Sequence, residues 1–320
     1  MITAEDAVQR SLNGAEGLEK VSASTSEAYS ARIIPPHTML SLVADDGGIV
    51  KICRELIFDG QFGQDVGAPQ VTPLDVWATD TEGANIAGRW NVAGITTNTP
   101  GLDKTEGTLS YSHVLEIKQD DQDDVFGIGA SNGRSYQNFG DGSTGAGSTT
   151  IFERALRVPA GAPYVARITH KDGHGSKPMQ YQAREVRGHA SVTTRYWDGS
   201  AWQNTAQWID ITANTGETIF IDDVTLDEAT DVVISTSDGT YVSGPAYYFL
   251  FFRPKSDYSG VLSHISNVGL CEKIAAADFD LRINANEEKI ITTGPYWSRV
   301  GVITDNNSKN LYISELGTSK

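Results

Sequence analysis

The feature that most constrains this chain is a run of short apolar segments over residues 149–272, each closed by turn residues and none with a helical period. Residues 151–158, 164–170, 190–197, 207–212, 218–226, 231–235 and 246–253 are rich in β-branched and aromatic side chains, which favour strands. Between them lie Pro159-Ala160-Gly161, Lys171-Asp172-Gly173, Asp198-Gly199-Ser200, Asn214-Thr215-Gly216 and Asp238-Gly239. Glycine tolerates positive φ, and Asp and Asn bond their own backbone, so each of these is a reversal with a mechanism. Strands at this spacing build an antiparallel jelly roll or β-sandwich. The pattern specifies a fold class, and none of its residue groups demands a reaction.

Composition narrows the function classes. With 320 residues and 39% hydrophobic content, the chain can bury one large core or two modest ones. Gly is frequent at 32 residues and Met rare at 3, which suits many turns and few helices. A net charge of −16 repels phosphate backbones, so direct nucleic-acid binding is not expected, while divalent cations are attracted. Cys53 (in IVKICRELIF) and Cys271 (in ISNVGLCE) each sit in an apolar, strand-like context and read as buried free thiols. The N-terminus is acidic and lacks the apolar segment of a signal peptide. No run approaches the ~20 apolar residues of a membrane span, and the longest, AYYFLFF, is strand-sized.

Four regions follow from the pattern. Residues 1–32 read as an N-terminal arm, with 1–30 as the one helical region beside the plainer alternative of a frayed terminus: Thr3 caps it, and Ala4, Val8, Leu12, Ala15, Leu18 and Val21 fall at spacings of three to four. So thin a stripe needs a partner surface. Residues 33–104 form a β-rich region, with 38–44 and 49–58 expected as a hairpin around Asp45-Asp46-Gly47-Gly48 and further strands at 74–79 and 89–93. Residues 105–272 form the jelly-roll domain, with a long strand at 108–119, a short one at 125–128 and a Gly/Ser-rich surface loop at 131–148. Residues 273–320 are expected as two small hairpins, 279–283 with 289–293 and 299–303 with 311–313, the second turning at Asp305-Asn306-Asn307.

Candidate chemistry is sparse. No nucleophile elbow is recognisable, since the G-x-S-x-G match Gly129-Ala130-Ser131-Asn132-Gly133 runs into a Gly/Ser-rich stretch rather than a helix, and no Cys–His pairing is present. His170 and His174 are close in THKDGHG, but Asp172-Gly173 forces a turn between them, so solvated loop histidines are the plainer reading beside a metal pair. Asp222-Asp223 are adjacent carboxylates, yet glycosidase acids must face each other across a cleft. The run Asp120, Asp121, Asp123 and Asp124 offers hard oxygen ligands suited to Ca²⁺ without the spacing of an EF-hand, and competes with a solvated hairpin tip. The aromatic stretch TTRYWDGSAWQNTAQW is the best binding candidate: Tyr and Trp rings on a sandwich stack on sugars, although Trp in strand pairs is more often core. The glycan candidates are Tyr136, Asn138, Asp141, Trp197 and Trp202.

The order of segments carries a resemblance. GTLSYSHVLEIKQ is followed by TIFERALRVPAGAPYVARITHKDG, HASVTTRYWDGSAWQ, WIDITANTGETIFIDDVTLDEATDVVISTSDG, and then AYYFLFFRP and LSHISNVGLCE. This resembles the jelly-roll domains, similar to carbohydrate-binding modules, of tailed-phage virion structural proteins, over about half of the chain. The resemblance implies an all-β jelly-roll/β-sandwich body with a short N-terminal arm and a small C-terminal β-hairpin region. It implies a non-enzymatic virion component: a head decoration, minor capsid or fibre protein, homo-oligomeric, contacting other virion proteins or copies of itself. Two alternatives stay open: a carbohydrate-binding module for a host-surface glycan, and a double jelly-roll capsid protein with barrels at 33–158 and 163–316.

Overall fold

The computed structural model describes residues 16–57, 85–87, 90–94, 101–103, 114–118, 125–128, 156, 158, 162–187, 193–226, 232–236, 239–243, 247–255 and 261–318. Among them there are 23 strands and no helix, so the all-β expectation holds. The chain divides into two compact units, the first made of Met1–Phe58 and Leu270–Lys320, the second of Asp59–Gly269.

The strands before the second unit are β1 (Glu16–Ala23), β2 (Ala28–Tyr29), β3 (Thr38–Ala44) and β4 (Gly48–Arg54). Then follow β5 (Asn85–Ala87), β6 (Trp90–Gly94), β7 (Gly101–Asp103), β8 (Val114–Lys118), β9 (Val125–Ile128), β10 (Ala162–Lys171), β11 (Met179–Arg187) and β12 (Thr193–Trp197). After these come β13 (Trp202–Gln203), β14 (Ile209–Asp210), β15 (Thr218–Leu226), β16 (Val232–Thr236), β17 (Gly239–Ser243), β18 (Tyr247–Pro254) and β19 (Leu262–Glu272). The C-terminal strands are β20 (Leu281–Ile283), β21 (Glu288–Thr292), β22 (Ser298–Thr304) and β23 (Lys309–Thr318).

In the first unit one sheet runs β1-β23-β3-β21 and the other β2-β22-β4-β20. Strands joined in sequence hold the same place in opposite sheets: β1 with β2, β22 with β23, β3 with β4, β20 with β21. Each connection is therefore an arch between layers. Val21, Ala23, Leu40, Leu42, Ala44, Leu311 and Ile313 of one sheet bury against Val50, Ile283, Val300 and Val302 of the other.

Three expectations change here. The pairs 38–44/49–58, 279–283/289–293 and 299–303/311–313 are strands where expected, but they are arches, not hairpins. A turn signal marks reversal only; whether the two strands bond edge to edge or face each other depends on which apolar faces meet. The arches at 45–48 and 305–308 are tied to each other, Asn306 Nδ2 donating to Asp46 Oδ2 (2.6 Å) and Asn310 Nδ2 to Asp45 Oδ2 (2.6 Å). Gly48 is required there, because a Cβ would lie 2.6 Å from the Ile303 carbonyl oxygen. The helical reading fails over 16–23, which is strand β1 bonded along β23; residues 1–15 lie outside the described residues. Val21 and Ala23 alternate with exposed Lys20 and Ser22, so a two-residue period overrides the spacing of three to four.

In the second unit β15-β10-β19-β8-β7 form one sheet, and β13-β12-β11-β18-β9-β6-β5, with β14 beside β11, form another. The two face each other through Tyr181 on β11, whose ring meets Phe220 on β15 edge-on at 5.7 Å. Strand β18 is central, bonded to β11 on one side and β9 on the other. Tyr248, Phe249, Leu250, Phe251 and Phe252 are all buried, so both of its faces are covered, as the unbroken apolar run requires. Two sandwiches exist, but the second interrupts the first between β4 and β20; the consecutive barrels at 33–158 and 163–316 are not what the chain forms.

Candidate binding face

Strands β12 and β13 make the hairpin that the DGSA turn predicts. Gly199 has φ +96°, and the Asp198 carboxylate accepts from Ser200 N (2.8 Å), Ser200 Oγ (2.9 Å) and Ala201 N (2.7 Å). These donors hold the Asp198 carboxyl down at about 2, the Ala201 amide contributing most.

The register sets Trp197 directly opposite Trp202, so both indoles share one side of the hairpin. That side faces the other sheet. Trp197 is buried, with Nε1 donating to Asp222 Oδ2 at 3.1 Å, and Trp202 is half-buried, with Nε1 donating to the Thr225 carbonyl at 2.7 Å. Their rings meet edge-on at 5.5 Å, and Trp202 packs on Tyr248 at 5.6 Å. Trp197 thus serves the core, and of this pair only Trp202 keeps part of its surface.

Asp222 is the polar centre of that layer. It accepts from Tyr181 Oη as well as from Trp197. Burial raises its carboxyl above the ordinary value, against the lowering effect of the two donors, and neighbouring Asp223 adds to the rise. Asp222 points inward and Asp223 outward on β15, so the adjacent pair does not share a site. The two histidines also separate: His170 is buried with Nδ1 3.0 Å from Asp172 Oδ2, while His174 is exposed and bonds Ser176. Among the described residues no group of three or more His, Cys, Asp or Glu is placed to hold a metal. Tyr136, Asn138, Asp141, Asp120, Asp121, Asp123 and Asp124 lie outside the described residues. Cys53 and Cys271 are buried thiols outside any disulfide, as their apolar contexts imply.

The opposite face of the same sheet carries a polar row that sequence reasoning missed. Gln180, Gln182 and Arg184 alternate along β11, with Phe251 and Phe249 beside them on β18 and Tyr196 on β12. Arg184 Nη2 donates to Gln182 Oε1 (2.8 Å), and its guanidinium lies 4.8 Å from the Tyr196 ring centre and 5.2 Å from that of Phe251. Arg253 Nε donates to Gln180 Oε1 (2.9 Å) and stacks 4.2 Å from the half-buried Trp208 ring. Gln180 passes the chain on to Asp210 Oδ1 (2.8 Å). The only sequence signal for this row is the period of two in MQYQAREVR, which sets Gln180, Gln182 and Arg184, all buried, on one face of the strand and Tyr181 and Ala183 on the other.

No family model matches the chain, and no curated protein matches it. Among solved structures it is similar to a protein from Bacteroides thetaiotaomicron described as sugar-binding, at 14% identity and TM-score 0.36 over 69% of this chain and 100% of that one. It is similar to the CBM22-1 xylan-binding domain of Paenibacillus barcinonensis Xyn10C, at 7% identity and TM-score 0.32 over 62% of this chain and 94% of that one. A chain of infectious bursal disease virus matches at 10% identity and TM-score 0.21, over 95% of this chain and 76% of that one. At these scores the sandwich assignment rests on the strand pairing itself. No helix long and apolar enough to cross a membrane occurs among the described residues.

Proposed function

We propose that this chain is a non-catalytic structural protein of a tailed-phage virion, a head decoration, minor capsid or fibre component that works through subunit contacts. The observation that carries the reading is the edge strand β15. Among the described residues it pairs only with β10, over nine residues, and on its outer face Ile219 and Ile221 are 49% and 43% exposed. Proteins usually blunt a free edge with charge, proline or a bulge; β15 has exposed Asp223 and Thr225, but its two exposed isoleucines and its regular nine-residue length suit a neighbouring strand. The first unit has a smaller counterpart in edge strand β21, where Ile290 is 60% exposed.

The neighbour we assign to β15 is a second copy of this chain. Antiparallel pairing centred on Ile221 sets Asp223 of one copy opposite Ile219 of the other, so the outward acids do not collide. Sedimentation velocity on the full chain should show a concentration-dependent oligomer that Ile219→Lys with Ile221→Lys reduces to monomer without lowering the melting temperature. Quantitative mass spectrometry of purified particles should find many copies per particle. A chain that stays monomeric at every concentration and is absent from particles refutes the proposal.

A second reading, a carbohydrate-binding module for host attachment, is supported by the stack of Arg253 on Trp208, both half-buried, at the end of the polar row on β11. Retardation in polysaccharide gels that disappears with Trp208→Ala supports it; unretarded migration on every polysaccharide counts against it.

A further inference from the structure

We infer that the first unit carries a small-ligand site of its own, a cleft of ≈ 290 Å³ that takes one ring of a neutral polyhydroxylated molecule such as a hexose or pentose. The inference goes beyond the shell reading and does not depend on the β11 face, which belongs to the other unit. The cleft is built by β4, β21, β22 and the end of β19. Its apolar lining is Ile52 and Ile291; its polar lining includes Arg54, Glu272, Asp280 and Tyr296.

The Arg54 guanidinium sits 3.5 Å from the centre of the Tyr296 ring. The ring is held by that stack while the residue stays 44% exposed. Glu272 Oε2 accepts from Arg54 N (3.2 Å) and Asp280 Oδ2 from Ile52 N (2.6 Å). Each carboxylate is oriented through one oxygen, and among the described residues the second oxygen of each accepts no hydrogen bond. Thr292 adds a hydroxyl at the rim.

The chemistry selects the ligand. Two oriented carboxylates repel an anion, and the Arg54 charge in the same wall repels a cation. An uncharged molecule that donates and accepts many hydrogen bonds, with one apolar face for a ring, satisfies both. The volume is at the lower limit of small-molecule pockets, so it admits a single sugar ring rather than a chain.

The test is saturation-transfer NMR on the full chain with the methyl glycosides of glucose, galactose, mannose and xylose, beside methyl glucuronide as an anionic probe and Nα-acetyl-lysine amide as a cationic one. The expected result is transfer to at least one neutral glycoside, reduced five-fold or more by Tyr296→Ala and by Asp280→Asn, and unchanged by Trp208→Ala. Asp280→Asn keeps an oxygen for the Ile52 amide, so it remains informative if Tyr296→Ala lowers the melting temperature. Absence of transfer to all four neutral glycosides, preference for a charged probe, or transfer that survives both cleft substitutions overturns the inference. Loss with Trp208→Ala alone would place the binding on the other unit and overturn it equally.

Discussion

Glu55 Oε2 lies 2.5 Å from Arg299 Nε, and both side chains are fully buried. The pair sits where the second unit leaves and re-enters the first. Glu55 Oε1 accepts from Ile57 N and Leu270 N, both at 2.8 Å, which fastens the outgoing and returning chain to one carboxylate. Arg299 Nη1 donates to the carbonyls of Ser30 (3.0 Å) and Ala31 (2.6 Å), which brings in the N-terminal segment. Three stretches far apart in sequence meet on two charges.

Removing one partner strands the other charge in the core. Glu55→Ala or Arg299→Ala should each cost about 3–5 kcal/mol in urea unfolding. An isolated buried ion pair is often replaceable by apolar residues, but Glu55→Leu with Arg299→Met should stay strongly destabilised here. It leaves the amides of Ile57 and Leu270 and the carbonyls of Ser30 and Ala31 unpaired, at about 1–3 kcal/mol each. Recovery of wild-type stability by the double variant would show that the backbone contacts carry little.

Residues 16–30 belong to the first unit's own sandwich. A chain starting at Ala31 lacks β1, β2 and the buried side chains of Val21, Ala23 and Tyr29. Its first unit should lose its cooperative melting transition. An unchanged melting profile would mean that the segment is dispensable to the fold and free to serve a partner.

Phe251 is fully buried on central strand β18 and stacks with Phe249 at 6.2 Å, 11° from parallel. Phe251→Ala should cost about 3–5 kcal/mol, read as a lower denaturation midpoint or as loss of soluble protein. Soluble protein with an unshifted midpoint would contradict central packing.

Asp222 gives a pH signature. Its carboxyl is raised in the folded state above the ordinary 3.8, chiefly by burial. The folded state therefore holds the proton more tightly than the unfolded one, and stability falls as pH rises from 3.8 through the raised value. Below 3.8 the cost is absent, and above the raised value it is complete. Asp222→Asn should remove this term, so the melting temperature of the wild type relative to the variant should improve on acidification. A difference independent of pH between 3 and 7 would show that Asp222 does not titrate inside the sandwich.

The sequence by itself determined the all-β class, most strand positions and the turns. Period-two apolar patterns and residues such as Asp198-Gly199 act within a few residues of the backbone they shape. The same local logic placed strand β18 and buried both of its faces. What only the tertiary structure decided is pairing. The Asp45-Asp46-Gly47-Gly48 reversal reads identically whether it joins strands of one sheet or crosses between two, because the choice depends on Leu42 and Ala44 meeting Val50, Val300 and Val302 across the core. Residues 16–23 took strand structure because β23, nearly 290 positions later, offers an open edge and a buried layer. Trp197 and Trp202 turned inward because the facing strand β15 supplies Asp222 and the Thr225 carbonyl for their indole N–H groups. The cleft at Arg54 and Tyr296 joins residues more than 200 positions apart, and long-range closure of that kind leaves no local trace in a single sequence.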